Sequence, residues 1–225
     1  VINLNLFKNL LKHCEKFWKK SKIHNNKRAQ LKKKCREFYH DKTLERIKLF
    51  YKNFHKRDGI EKINGEKMPT LSFLLNKIDW EDLSNGYFGR FHGDFHFENI
   101  LWQSKKKRFI FLDWRQDFAR NLDLGDIYYD LAKMKHNLTV NHDILDKELY
   151  NIDIDGKDIN VDILRSNEKC ECVKVLEDFV NENGLDNKKV DIIKSLIWLN
   201  MAPLHPQPIG DFLFYFGKYN LYLNL

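Results

Sequence analysis

The sequence has little of what marks several large classes of protein. Its 225 residues include only 4 Pro and 10 Gly, and its charges are interspersed with Phe, Leu, Ile and Tyr, which excludes low-complexity, collagen-like and disordered chains. No run approaches the ~20 consecutive apolar residues of a membrane-crossing helix. The four cysteines, Cys14, Cys35, Cys170 and Cys172, follow no secretory leader pattern, so they read as reduced thiols of a cytoplasmic protein rather than a disulfide framework. Cys170 and Cys172 find no further ligands at a spacing that would complete a zinc site. No internal repeat is present.

With 43% hydrophobic and 14% aromatic residues, the chain can bury a substantial core as one compact domain, or as one lobe of something larger. Its net charge of +7 is unevenly placed: residues 1–57 hold 18 Lys and Arg against 4 Asp and Glu, and the remainder holds 21 against 28. A basic stretch of this kind suits a solvated helix face, an anionic surface or a docking surface; the solvated face is the expectation, and no nucleic-acid partner is expected. The first residue is Val1, which fits a chain cut from a longer product.

Apolar residues recur at helical spacing over residues 3–20 and again over 27–55, giving two basic amphipathic helices within 1–57. The stretch from Arg57 to Pro69, with Gly59 and Gly65, reads as a loop. A short helix then covers Leu71 to Ile78, with Thr70 or Ser72 as cap. Within residues 87–136 two short apolar runs flank the turn Lys105 to Arg108, which predicts a β-hairpin, and Asp126 is placed to cap a helix from Ile127 to His136. Residues 137–225 begin with a second hairpin at 149–163, turning at Asp155–Gly156 and expected to be peripheral. Helices near 170–183, 187–202 and 210–222 close the chain. The expected fold class is α+β, mostly helical with small β-hairpins, as a single unit over 1–225.

Residues 91–131 carry the chemistry. His92, Asp94 and Asn99 stand in the order H-x-D-x-x-x-x-N, and Asp113 ends an apolar strand. In a tight loop Asp94 can face a hydroxyl while Asn99 turns an amide oxygen toward a cation, and the hairpin returns Asp113 to the same cation. Phosphoryl transfer needs such parts: a carboxylate for the nucleophile and oxygen ligands for Mg²⁺ on the phosphates. Trp102, Trp114, Tyr128 and Tyr129 are aromatic enough to box a quaternary ammonium, although core packing is the commoner use of such residues.

HGDFHFEN (92–99) resembles the HGDxHxxN catalytic loop of the aminoglycoside phosphotransferase and choline kinase superfamily, LDW (112–114) resembles its metal-binding strand end, and GDIYYDLA (125–132) resembles its next helix start. The resemblance implies a protein-kinase-like C-terminal lobe. It implies an ATP- and Mg²⁺-dependent phosphotransferase acting on a hydroxyl of a sugar, a choline- or ethanolamine-like amino alcohol or an aminoglycoside-like compound. Asp94 would be the catalytic base, with His92 shaping its loop; Asn99 and Asp113 would hold the metal, and His96 matches a second loop histidine on the cofactor side. Asp126 would cap its helix and Asp130 would anchor that helix to the loop. Trp114, Arg115 and Asp117 are the candidate substrate contacts, Arg115 standing where the superfamily often has an acid and so suiting a phosphate or carboxylate. No glycine-rich phosphate loop or strand lysine precedes residue 92, so the N-terminal lobe is expected to be absent from this chain. The alternative is a non-catalytic kinase-like binding module or a truncated fragment of a larger enzyme.

Overall fold

The computed structural model describes residues 3–18, 24–115, 118 and 124–225. It is a mostly helical α+β arrangement with small sheets. Helix α1 (Leu4–Phe17) starts at Asn3, whose side chain accepts the Leu6 N–H at 2.8 Å, and buries Phe7, Leu10, Leu11 and Cys14. Its lysines Lys8, Lys12 and Lys16 remain exposed, as a solvated face requires. The single helix expected over 27–55 is instead two, α2 (Asn25–Arg36) and α3 (Lys42–Asn53), joined by one π-helical turn at Glu37–Asp41. The wider turn brings the consecutive residues Phe38 and Tyr39 both into the core, which a regular 3.6-residue repeat does not favour.

The stretch 57–69 is not a plain loop. It forms the strands β1 (Glu61–Ile63) and β2 (Glu66–Met68), closed by Asn64–Gly65 with φ of 51° and 84°, the left-handed pair that an Asn-Gly hairpin turn demands. These strands extend the second hairpin, β7 (Tyr150–Asp155) and β8 (Asp158–Ile163), into a four-stranded sheet of order β2-β1-β8-β7. Its turn is Gly156–Lys157 rather than Asp155–Gly156, because Asp155 pairs with Asp158. The hairpin is therefore not peripheral. Ile63, Met68, Ile159 and Val161 are buried beneath the sheet, and the Asn64 amide bridges the strands, donating to Val161 O at 2.9 Å and accepting from Val161 N at 2.8 Å.

Helix α4 (Leu71–Lys77) is capped by Thr70, as expected, and α5 (Trp80–Leu83) follows. The strand β3 (Phe88–Gly89) leads to the hairpin β4 (Ile100–Gln103) and β5 (Arg108–Phe111), which forms over the basic turn as read from the sequence. A short strand β6 (Gly125–Asp126) pairs with β3 and runs into α6 (Ile127–Thr139), whose first turn is capped by Asp126. After α7 (His142–Asp146), three long helices close the chain: α8 (Asn167–Glu182), α9 (Asn187–Met201) and α10 (Ile209–Leu223).

The apolar centre is α6, buried on nearly every face and packed against α8 and α9. Lys135 of α6 reaches Glu177 at 2.8 Å and Asp191 at 2.7 Å, so its buried charge is paired toward both neighbouring helices. The aromatic run of α10 is core, with Phe212, Phe214, Tyr215 and Phe216 buried and Phe50 stacked on Phe214 at 4.0 Å. Lys218, 1% exposed, ties α10 to the sheet through Glu61 at 2.6 Å. Trp102 packs on Phe109, the Tyr128 hydroxyl accepts from Asp186 N, and Tyr129 packs edge-on against Phe38. These rings serve separate parts of the fold rather than one cage.

Candidate active site

One face of α6 holds the loop at 92–98. Asp130, Lys133 and Asn137 follow one another at three- and four-residue steps, so they line one side of the helix. The Asp130 carboxylate accepts from His92 N at 2.6 Å, Gly93 N at 2.7 Å and the Trp18 indole at 3.0 Å. Lys133 Nζ lies 2.8 Å from Asp94 Oδ1. Asn137 accepts from Phe97 N at 3.0 Å and donates to Glu98 at 3.2 Å. Four residues above Asp130, the buried Asp126 accepts from the Tyr39 hydroxyl, Tyr87 N and Tyr128 N, fixing the start of the helix against α2, the π turn and β3. At Gly93 the chain turns with φ +85°, and a Cβ would lie 2.5 Å from Arg115 Cβ, so glycine alone fits there.

A second segment, 111–115, is stitched to this loop by three hydrogen bonds. Leu112 O lies 2.7 Å from His92 Nε2, Leu112 N donates to Asn99 O at 2.8 Å, and Arg115 N donates to His92 O at 2.9 Å. Asp113 therefore sits between two anchored residues, in a left-handed conformation with φ 49° that Asp tolerates. Its carboxylate is exposed. Asn99 is buried, and its amide nitrogen donates to Asp94 O at 3.0 Å, which turns the amide oxygen the other way. His92 is fully buried and acts through the loop backbone. His96 stands over Asp94, at 3.3 Å from Oδ2, and reaches Glu98 at 2.7 Å with its other nitrogen.

The electrostatics follow from these contacts. Burial works to raise Asp94, but the hydrogen bonds from His96 and Lys133 hold it well below the usual carboxylate range. His96 is pushed up to about 9 by the hydrogen bonds to Asp94 and Glu98. Burial likewise works against Glu98, and His96 brings it down to about 2. Burial alone would lower Lys133, yet Tyr129 and Asp94 leave it raised. Asp94 is thus an ionised carboxylate held by two cations throughout the neutral range.

Trp114 carries its ring against Phe17 and His92 and under the Arg90 guanidinium at 4.9 Å, and its indole N–H donates to Phe111 O. Arg115 is exposed and lies over the Phe38 ring at 5.0 Å. Asp117 lies outside the described residues. Lys133 and Asn137 were not singled out from the sequence. The signal was their step from Asp130, a residue already tied to the loop.

These features define a mostly helical fold that presents a carboxylate-bearing loop beside a β-hairpin ending in a second acid. Comparison with known families matches residues 23–151, more than half of the chain, to the phosphotransferase enzyme family. The chain belongs to that family. The match extends well beyond the motifs, taking in α2 and α3 and ending at the start of β7. No curated protein and no solved structure matches the chain.

Proposed function

We propose that this chain is the helical lobe of an ATP- and Mg²⁺-dependent kinase that phosphorylates a hydroxyl of a small molecule. What carries the reading is the stitching of the 92–99 loop to the 112–115 segment, which sets Asp94, Asn99 and Asp113 around one small region. An amide oxygen and a carboxylate are hard oxygen donors of the kind Mg²⁺ takes, and Mg²⁺ commonly binds through one or two such groups plus phosphates and water. In this reading Asn99 and Asp113 would be the two protein ligands of that ion. When bound there, the ion would offset the charge that develops on the transferred phosphate.

In this reading Asp94 accepts the hydrogen bond of the acceptor hydroxyl and aims its oxygen at the terminal phosphorus. The new O–P bond forms as the terminal phosphorus leaves the ADP oxygen, which keeps the electron pair. The hydroxyl proton passes to Asp94. Because Lys133 and His96 stabilise the carboxylate, the proton moves late, after bond formation has acidified the hydroxyl. Lys133 and His96 hold Asp94 in place, and Asp130 holds the loop. A β-rich lobe would cover the nucleotide; the described residues before Phe91 form α1–α5, a π turn and the short strands β1–β3. The acceptor belongs to the small hydroxyl compounds, among which the superfamily resemblance alone does not choose between sugars, amino alcohols and other alcohols.

The test is ADP release with Mg²⁺-ATP and pooled small metabolites, with Asp94→Ala as control. Release that requires one pool and disappears in the variant supports the kinase. Release unaffected by Asp94→Ala rejects the mechanism.

A further inference from the structure

Four cationic side chains gather around Phe38 and Lys133 from separate parts of the chain, and Lys133 links them to Asp94. Lys42 and Arg46 stand one turn apart on α3, Arg115 follows the hairpin, and Lys133 comes from α6. Lys42 Nζ lies 4.4 Å and the Arg115 guanidinium carbon 5.0 Å from the centroid of the same Phe38 ring. Among the described residues none of Lys42, Arg46 and Arg115 has a carboxylate partner; Lys133 alone is paired, with Asp94. Burial brings Lys42 down to about 8, with Arg115, Arg46 and Lys133 adding to the shift.

Two recesses meet at this cluster. One, of about 90 Å³, is lined by Phe38, Lys42, Arg46 and Lys133 and carries no acid. The other, of about 200 Å³, is lined by Asp94, His96, Lys133, His136 and His142. Lys133 and Met201 belong to both. His136 is 6% exposed, and both of its ring nitrogens lack a hydrogen-bond partner among the described residues. Buried polar groups are almost always satisfied. Burial and the nearby Lys133 and His96 keep the ring neutral, so it retains one donor and one acceptor for a hydroxyl.

We propose that the larger recess receives the hydroxyl-bearing end of the acceptor, and that Lys42 and Arg46 in the smaller recess, with Arg115 across the Phe38 ring, bind a phosphate or carboxylate group at its other end. This deepens the kinase reading above and rests on it for the word acceptor. The acceptor class is a small anionic alcohol, a phosphomonoester or a hydroxy acid, and not a cationic amine. The arrangement spans two recesses through Lys133: the charge of the acceptor is met at α3, and its free hydroxyl is set against Asp94 and His136.

The experiment has two readouts on the full chain. Calorimetric titration compares glycerol 1-phosphate with glycerol and ethanolamine, for the wild type, Lys42→Gln, Arg46→Gln and Lys48→Gln, the last an exposed lysine on the same helix. ADP release is then followed with the same compounds plus a hydroxy acid and an aminosugar. Charge-assisted contacts of this kind predict that Lys42→Gln and Arg46→Gln each weaken glycerol 1-phosphate about tenfold or more, with unchanged melting temperatures, while Lys48→Gln has no effect. In turnover the same two variants raise KM for the anionic alcohol and leave KM for ATP alone. Equal binding by all four proteins, absence of glycerol 1-phosphate binding, or a KM change confined to ATP overturns the proposal. ADP release with only the amine acceptors keeps the kinase and removes the anion site. Anion binding that depends on Lys42 and Arg46, with no ADP release from any acceptor, keeps the anion site and removes turnover by this chain.

Discussion

The carboxylate of Asp130 is the sharpest place to test how this lobe is built. It is buried and accepts three N–H donors, so hydrogen bonding favours its ionised form while burial opposes it. Burial dominates, with Asp126 adding to it, and Asp130 is pushed up to about 7. The sign of the linkage follows. Between the unfolded value near 3.9 and the folded value the native state holds the extra proton, so the stability from this group is largest below about pH 4 and is lost as the pH rises to about 7. Asp130→Asn has nearly the same shape, keeps an acceptor oxygen and does not titrate. Its cost relative to wild type should therefore shrink by roughly 2.5 kcal/mol between pH 5 and pH 8, the free energy of about two pKa units. Urea unfolding of both proteins at the two pH values measures this, and titrating groups that do not interact with Asp130 cancel in the difference. A cost that stays constant within about 0.5 kcal/mol, or grows toward pH 8, would show that the three N–H donors outweigh burial and that Asp130 is ionised throughout.

Other consequences are simpler to check. Asn64→Ala strips Val161 of both its partners and should lower stability by about 1–3 kcal/mol, read as a urea midpoint; no change would separate β1 from β8. Gly93→Ala meets both a left-handed backbone and the Arg115 side chain, so it should cost about 2 kcal/mol or more and abolish turnover; a wild-type melting temperature would refute the tight turn. His96 lies at about 9, raised above its unfolded value, so the stability it provides is complete below about pH 6.5 and lost as the pH rises through 9. The destabilisation caused by His96→Gln should accordingly be greater at pH 6 than at pH 10 in thermal unfolding. Lys133→Met removes the partner of Asp94 Oδ1 and should lower kcat while shifting the acidic limb of the rate profile upward; an unshifted profile would remove Lys133 from the site.

Much of the fold was legible because local rules and tertiary packing agree. The Asp126 cap, the hairpin over Lys105–Lys107, and the closing helices interrupted by Gly184 and by Pro203–Pro208 all carry their own punctuation. The aromatic run of α10 reads as core from composition. The strands β1 and β2 were hidden for a physical reason. Each has three residues, with Glu61, Lys62, Glu66 and Lys67 in all but one position of each strand, and β1 is stabilised by pairing with β8 almost a hundred residues later. No window short enough to show alternation contains that partner. The π turn was hidden because a helical period has no place for Phe38 and Tyr39 both facing inward.

The candidate site divides along the same line. Asp94, Asn99 and Asp113 stand within twenty residues of one another, and the connections between their segments are two backbone bonds and one from the His92 side chain, all made locally by a loop and a hairpin. The residues that set the electrical character of the site come from elsewhere: Lys42 and Arg46 from the basic N-terminal helices, Lys133 from the middle of a buried helix. Their sequence neighbourhood reads as solvated charge, and α2 does present its basic residues to water. At Phe38 that pattern breaks. The π turn that carries this ring inward is followed at once by Lys42 and, four residues on, by Arg46, so the feature least predictable from periodicity also places two cations in the recess that Lys133 shares. The net positive charge of the N-terminal quarter of the chain is therefore not all of one kind: most of it keeps α1 and α2 in water, and the part at the start of α3 faces the recess where an anionic acceptor would bind.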